Sequence, residues 1–528
     1  MTTKHDVAIV GAGFAGMYLL HRLREAGFAA HVYEAADDVG GTWFWNRYPG
    51  ARCDSESMQY SYSFSRELEQ EWEWSERFAT QPEILRYLSH VAERFDLRRD
   101  ITFGATVASA TSHAGGWTVE LESGERVEAQ HVVLATGCLS TSRTPDFPGL
   151  ENFAGTVLHT GDWPHEPVDL AGRRIGVIGT GSSGVQAIPL LAAQAESLTV
   201  FQRTPNFTLP ARNAPLDPVA VAEHKGRYPQ LRDQQRRSAT GTLRTVRPDS
   251  ALDVDDDERA SRYERGWRLG GNAIFESFDD LSVNAASNDT LAEFLRGKIR
   301  EIVRDEQAVT ALTAQDYPVG AKRICIGTDY YETYNRDNVA LVDLRAEPIE
   351  AVTATGLRTS EGEYELDVLV LATGFDAMTG SILRIDVRGT DGRSLREDWS
   401  AGPHTYLGLA MHGYPNLFTV TGPGSPSVLG NVVVSIEQHV EWISEHLVHL
   451  RDHGLTRSEA RLDDQERWVA QVNEVASQTL MTKAASWYMG ANVPGKPQVF
   501  MPYAGGFAEY RRICDEETAA GYSGFRLS

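Results

Sequence analysis

The sequence predicts an α/β protein made of two parallel-sheet βαβ units, the first of them discontinuous, with a helical insertion. Three observations predict it: a glycine-rich turn after an apolar strand near residue 11, a second near residue 179, and a charged helical stretch from about 209 to 319. In the first unit the strand Val7–Val10 runs into Gly11, Gly13 and Gly16 at GxGxxG spacing. An amphipathic stretch, Gly27 as its stop, and a second strand ending in Glu34 follow. Gly11 allows the tight turn, Gly13 lets backbone approach a pyrophosphate, and Gly16 permits close helix packing. The free N–H groups at the helix start face the phosphates, and Glu34 falls where a carboxylate accepts hydrogen bonds from ribose hydroxyls.

The second unit has Gly179, Gly181 and Gly184 after the strand Ile175–Ile178, with Ser182 among the turn residues. It ends differently, because Gln202, Arg203 and Thr204 stand where the first unit carries its acid. An acid there would repel a 2′-phosphate, whereas a guanidinium binds one in bidentate fashion. The two units therefore read as Rossmann-like sites, the first for FAD and the second for NADPH. The alternative for Arg203 is a solvated residue at a strand end. Pro189, about two turns into the second helix, removes a backbone hydrogen bond and predicts a kink.

Composition narrows the function. At 528 residues the chain has room for two or three domains. Its net charge of −23 and pI near 5.1 argue against nucleic acid and anionic membranes as partners. No run of 18 or more apolar residues occurs, and the first strand begins too early for a signal peptide, so a cytoplasmic protein is expected. Cys53, Cys138, Cys325 and Cys514 are scattered without a CxxC pair, which speaks against a disulfide scaffold and against flavin-linked disulfide reduction.

Along the chain, residues 1–140 and 375–528 are expected to form the FAD unit, 141–208 and 320–374 the NADP unit, and 209–319 the insertion. The first part holds the alternating strand Trp117–Glu122 and the apolar run His131–Gly137; its Ala-Thr-Gly ending recurs at Ala372–Gly374. Pro145, Pro148, Pro164 and Pro167 mark the connector Ser140–Arg173 as an ordered hinge. In the insertion, Leu291, Phe294, Leu295, Ile299, Ile302 and Val303 share one helical face behind an Asn288 or Asp289 cap. The acidic run Asp253–Glu258 lacks calcium-loop spacing and reads as a solvated face. No metal site is expected.

Between the two glycine turns, Phe153, Gly155, His159, Trp163 and Pro164 stand at FxGxxxHxxxWP spacing, and GGTWFWNRYPGARCD supplies Gly41, Trp43, Tyr48, Pro49, Gly50 and Asp54. These strings resemble the signatures of type I Baeyer–Villiger monooxygenases, and QRTPNF, GPGSPS and ASWYMGANVPGKP resemble the phenylacetone monooxygenase subgroup. The likeness extends over essentially the whole chain. It implies oxygen insertion into ketones, giving esters or lactones, through a flavin C4a-peroxide formed from FAD, NADPH and O2. Sulfoxidation is expected beside it, in a monomeric enzyme.

That chemistry needs a fixed cation, and KRICIGTDYYETYNRDN offers Arg323 and Arg336. The resemblance implies Arg323 as the catalytic arginine, Asp54 as its partner, and Lys322 as a contact for the nicotinamide coenzyme's 2′-phosphate. It further implies Thr42, Trp43 and Tyr60 near the flavin and Trp487 near the nicotinamide ribose. Cys138, Leu139, Ser427, Val428, Leu429 and Val432 are implied to line or approach an apolar ketone pocket. His159 invites a general-base role through its pKa near 6.5, but its place in a Pro-rich connector favours a hinge. The rival readings are a flavin monooxygenase acting on nitrogen or sulfur, and a nucleotide-responsive flavoprotein without catalysis.

Overall fold

The computed structural model describes residues 3–528. One sheet of eight strands runs in the order Asp386–Arg388, Val107–His113, Gly116–Leu121, Arg126–Leu134, Thr3–Val10, Ala30–Tyr33, Ile101–Thr102, with Leu417–Thr419 also paired to Arg126–Leu134. Thr3–Val10 is parallel to both neighbours and buries Val7, Ala8, Ile9 and Val10, the pattern of a strand covered on both faces. Strands from both ends of the chain thus share this sheet. A second sheet is parallel throughout, in the order Val339–Asp343, Ser197–Gln202, Arg174–Ile178, Val368–Leu371, Thr156–His159. Of the motif residues, His159 ends its edge strand, while Phe153 and Gly155 lie in the approach to it, where a Cβ at Gly155 would strike the Phe153 ring at 2.6 Å.

Each glycine turn leans on an Ala-Thr-Gly strand end. A Cβ at Gly11 would lie 2.7 Å from the Ala135 carbonyl oxygen, and one at Gly179 would lie 2.5 Å from that of Ala372. Gly16 and Gly184 rest on the carbonyls of Gly11 and Gly179 in the same way. The echo of the two Ala-Thr-Gly turns therefore has a steric cause, since each supplies the floor on which a glycine turn packs.

The helix Ser182–Gln194 continues through Pro189. Between the sheets, the charged stretch has no separate interior. Val221 and Tyr228, from the helices Pro218–Gly226 and Tyr228–Arg236, join the core of the first sheet. Tyr263, Trp267, Leu291, Leu295 and Ile299, from Asp256–Leu269 and Ala285–Ile302, join that of the second. A buried ion pair, Arg232 Nε to Glu69 at 2.8 Å, fastens the first pair of helices.

One local expectation is corrected, and the exposed acidic run gains a role beyond a solvated face. The helix around Leu291 is capped by Asn284, whose side chain accepts from the Ala286 and Ser287 N–H groups, and not by Asn288 or Asp289. Asn288 is instead buried inside the helix, where it donates to the Leu281 and Val319 carbonyls and accepts from the Val319 N–H. The acidic run is a helix start: Asp255 accepts from the Glu258 N–H at 2.8 Å, and Asp256, Asp257 and Glu258 occupy the first turn, where the helix dipole favours negative charge. Among the described residues no helix is long and apolar enough to cross a membrane.

Candidate active site

Both glycine turns open on one cavity of about 1250 Å³. That is more than a single small-molecule site needs, and every wall residue belongs to this chain. Gly11, Gly13 and Glu34 line one arm; Gly179, Gly181, Ser182, Arg203, Thr204 and Lys322 line the other. Arg323 and Asp54 line the same cavity, with Trp43, Tyr60, Cys138 and Trp487 also on the wall.

Two extended groups with phosphates fit these walls. The helices Phe14–Glu25 and Ser182–Gln194 begin at Gly13 and Gly181 with no side-chain cap, leaving backbone N–H donors for a phosphate. A Cβ at Gly181 would meet nothing within 4 Å and would project into the space a ligand needs. Glu34 is buried; its oxygens accept from the Ala12 and Ala36 N–H groups, tying the second strand to the glycine turn and leaving lone pairs for hydroxyl donors. Burial raises its pKa, while the backbone donors oppose that rise.

On the other arm Lys322 and Arg203 lie together. The Lys322 ammonium is 4.8 Å from the centre of the Tyr317 ring, and its pKa is lowered by burial and then by Arg203. Arg203 forms no salt bridge among the described residues. Two neighbouring cations facing a cavity suit an anion such as a sugar phosphate.

Arg323 is the most tightly held cation of the wall. Its Nε donates to Asp54 Oδ2 at 2.8 Å, its Nη2 to Asp54 Oδ1 at 2.7 Å, and its Nη1 to the Val428 carbonyl at 2.7 Å. Burial alone would lower its pKa, but the Asp54 charge and hydrogen bonds outweigh it and the net shift is upward. Three of the five guanidinium N–H donors are thus engaged, which leaves two for a ligand. Arg336, the other candidate, is exposed, bonds Asn338, and lies outside the cavity.

Thr42, Gly41, Leu139, Val428 and Val432 also line the wall. Ser427 and Leu429 stand behind it: Ser427 is fully buried with its hydroxyl toward the Thr421 carbonyl at 3.3 Å, and Leu429 packs in an apolar cluster with Tyr488 and Phe500. Phe153, Gly155, His159 and Trp163 also lie off the cavity. Trp163 is buried in the second core. His159 accepts from the Gly161 N–H at Nδ1, so Nε2 carries the proton and donates to the Arg143 carbonyl at 3.1 Å. Burial lowers its pKa, and a neutral ring whose two nitrogens are both engaged braces the connector.

Several wall residues had no sequence signal. Gln186 reaches from the second unit to the first: the Tyr48 hydroxyl donates to its Oε1 at 2.7 Å, and its Nε2 donates to the Arg52 carbonyl at 3.2 Å. Arg143 holds the Asn492 carbonyl at 2.6 Å, and Lys496 pairs with Asp376, so the Trp487 segment is fastened over the cavity.

Comparison with known proteins agrees with this geometry. The family model for pyridine nucleotide-disulphide oxidoreductases matches residues 5–227, which contain both glycine turns, although all four cysteines here are free. The acetone monooxygenase (methyl acetate-forming) of Gordonia sp. strain TY-5 is 42% identical over 100% of both chains. A Baeyer–Villiger monooxygenase of Pseudooceanicola batsensis is 41% identical over 98% of this chain and 95% of its own. Among solved structures, an oxidized steroid monooxygenase bound to NADP is 50% identical, covering 99% of each chain with a TM-score of 0.95. The OTEMO complex with FAD and NADP is 40% identical over 100% of each, with a TM-score of 0.96.

A carboxylate behind one glycine turn, cations behind the other, and a clamped arginine on the shared wall define an oxidoreductase built around two dinucleotides. The chain belongs to the Baeyer–Villiger monooxygenase family.

Proposed function

We propose that this protein converts ketones to esters or lactones, using FAD in the arm of Gly11 and Glu34 and NADPH in the arm of Gly179, Arg203 and Lys322. The observation that carries the reading is the Asp54–Arg323 pair, fixed on the wall of the one cavity on which both glycine turns open. FAD held beside Gly11, Gly13 and Glu34 would, once reduced by NADPH, supply the O2 activation that insertion of one oxygen atom into the ketone requires. Arg323 meets the negative charge that develops on oxygen there with its two free N–H groups, and Asp54 holds its plane in place beforehand, so little reorganisation is required during reaction. Thr42, Trp43 and Tyr60 form the wall at the first arm, with the Trp43 ring N–H donating to the Tyr60 hydroxyl at 3.2 Å. Trp487 borders the cavity from the fastened segment.

Cys138, Leu139, Val428 and Val432 give the ketone an apolar wall with few hydrogen-bond donors, which selects by shape. One methylene is then worth about 1–3 kcal/mol, so several ketones should be accepted. A thioether held in the same place is a second oxygen acceptor. The reading includes a monomer in the cytoplasm, and light scattering near 58.3 kDa would check the first of these.

The experiment is Arg323→Ala. The variant should bind FAD and remain yellow, yet lose ester formation by at least a hundredfold, the scale of one lost oxyanion donor. Undiminished ester would remove Arg323 from the reaction. In the same product assay sulfoxide is expected beside ester, whereas sulfoxide with no ester from any ketone would favour the nitrogen- or sulfur-oxygenating rival.

A further inference from the structure

Arg323 has a third anchor beyond its two hydrogen bonds to Asp54. The Val428 carbonyl accepts from Nη1 at 2.7 Å, although 105 residues separate the two in sequence. It is delivered by an unusual turn. Ser427, the residue before it, has φ +44°, and its side chain is fully buried. A non-glycine residue in this left-handed region costs free energy and persists only where the surroundings hold it. They do so here. The Leu429 N–H donates to the Pro426 carbonyl at 3.0 Å, the Ser427 hydroxyl faces the Thr421 carbonyl, and Asn431 Nδ2 donates to the Gln59 carbonyl at 2.6 Å. Downstream, a Cβ at Gly430 would strike the Thr240 carbonyl, so the chain leaves the turn by a single route into the helix Val432–Asp452. Tyr488 closes the apolar side of the turn in one cluster with Val428.

Asp54 grips one edge of the guanidinium only, which leaves the group free to tilt about that edge. The Val428 carbonyl removes this freedom. We propose that Ser427 is a positioning residue: its left-handed backbone holds the Val428 carbonyl on Arg323, so the turn that borders the ketone pocket also sets the tilt of the cation. This rests on the role assigned to Arg323 above. Its consequence is that a change in the turn alters the reaction with every ketone, small or large, because a displaced cation misses the developing charge whatever the substrate.

The test compares Ser427→Val with Ser427→Gly. A β-branched residue does not tolerate φ +44° and forces the turn to reset, whereas glycine accepts it. Ser427→Val is expected to lower kcat about tenfold or more for acetone and for a bulky aryl ketone alike. NADPH oxidation should then release more hydrogen peroxide in place of ester, and the KM for NADPH should stay within about twofold. Ser427→Gly should recover most of the lost kcat. A simple lining role would give a different result, in which Ser427→Val shifts KM for the bulky ketone and leaves acetone turnover and coupling intact; that result overturns the proposal. Should Ser427→Val lose FAD or fold poorly, Ser427→Thr, which adds the branch and keeps the hydroxyl, decides by the same comparison. Arg323→Ala measured in parallel separates the two claims. If it keeps ketone turnover, the role of Arg323 falls; if it is inactive while the Ser427 variants affect only bulky ketones, this proposal alone falls.

Discussion

Lys322 carries a consequence of its own crowding. Burial and the neighbouring Arg203 lower its pKa from 10.5, so the ammonium is lost at a lower pH than in an ordinary lysine. Attraction to a 2′-phosphate therefore fades on the alkaline side at a lower pH than it would for an ordinary lysine. The kcat/KM for NADPH should fall as pH rises, that for NADH should stay level, and Lys322→Arg, whose charge does not titrate, should flatten the NADPH profile. Arg203→Ala should weaken NADPH by roughly 10–100-fold, the worth of one charged hydrogen bond of about 1.5–3 kcal/mol, with little change for NADH. Steady-state kinetics with both coenzymes checks this, and equal losses for the two would return Arg203 to the solvated strand end. At this scale the glycine turns were readable from sequence, because the packing of Gly11 and Gly16 follows from spacings within one βαβ unit. Gln186 and the Val428 carbonyl were not readable: a glutamine amide and a backbone oxygen carry no composition signal, and their partners lie more than 100 residues away.

The helix Val432–Asp452 carries two buried histidines. His439 accepts the Thr421 N–H at 2.9 Å, and His446 stacks on Trp442 with ring centres 5.2 Å apart and bonds the Ser458 hydroxyl at 2.7 Å. Burial holds both down to about 3, and the nearby His131 to about 4. A histidine that is neutral when folded and ordinary when unfolded stabilises fully above its unfolded pKa near 6.5; that stability is lost as pH falls toward the folded value. Each contributes a slope of at most about 1.4 kcal/mol per pH unit between those limits. Thermal unfolding should therefore show a falling melting temperature below pH 6.5, above the range in which most carboxylates titrate. His446→Phe should make that decline shallower. An unchanged slope would mean that His446 is not buried as a neutral ring. The helix Ala285–Ile302 was legible in its 3.6-residue pattern, but its cap was missed by four residues. Asn284 and Asn288 are equally good caps in sequence, and only the Val319 backbone, 31 residues on from Asn288, decides which one goes inside.

Over the whole molecule, alternating strand and helix patterns made both sheets readable, and so did the return of the last segment to the first sheet. How the charged middle stretch divides was hidden, since its helices show similar amphipathic faces and nothing local says which core each one meets. The structure gives one pair to each sheet, with Tyr228 and Arg232 on the first side and Trp267 and Leu291 on the second.

That division ties the fates of the two halves together. Both pairs belong to one continuous insertion, and Tyr48 and Ala51 of the first unit pack in the second core, so denaturant should melt both halves in one step instead of peeling them apart. Amide exchange followed through a guanidinium titration would show it. Protection in Thr3–Val10 and in Arg174–Ile178 should vanish at the same midpoint, and two well-separated midpoints would mean that these contacts do not couple the halves.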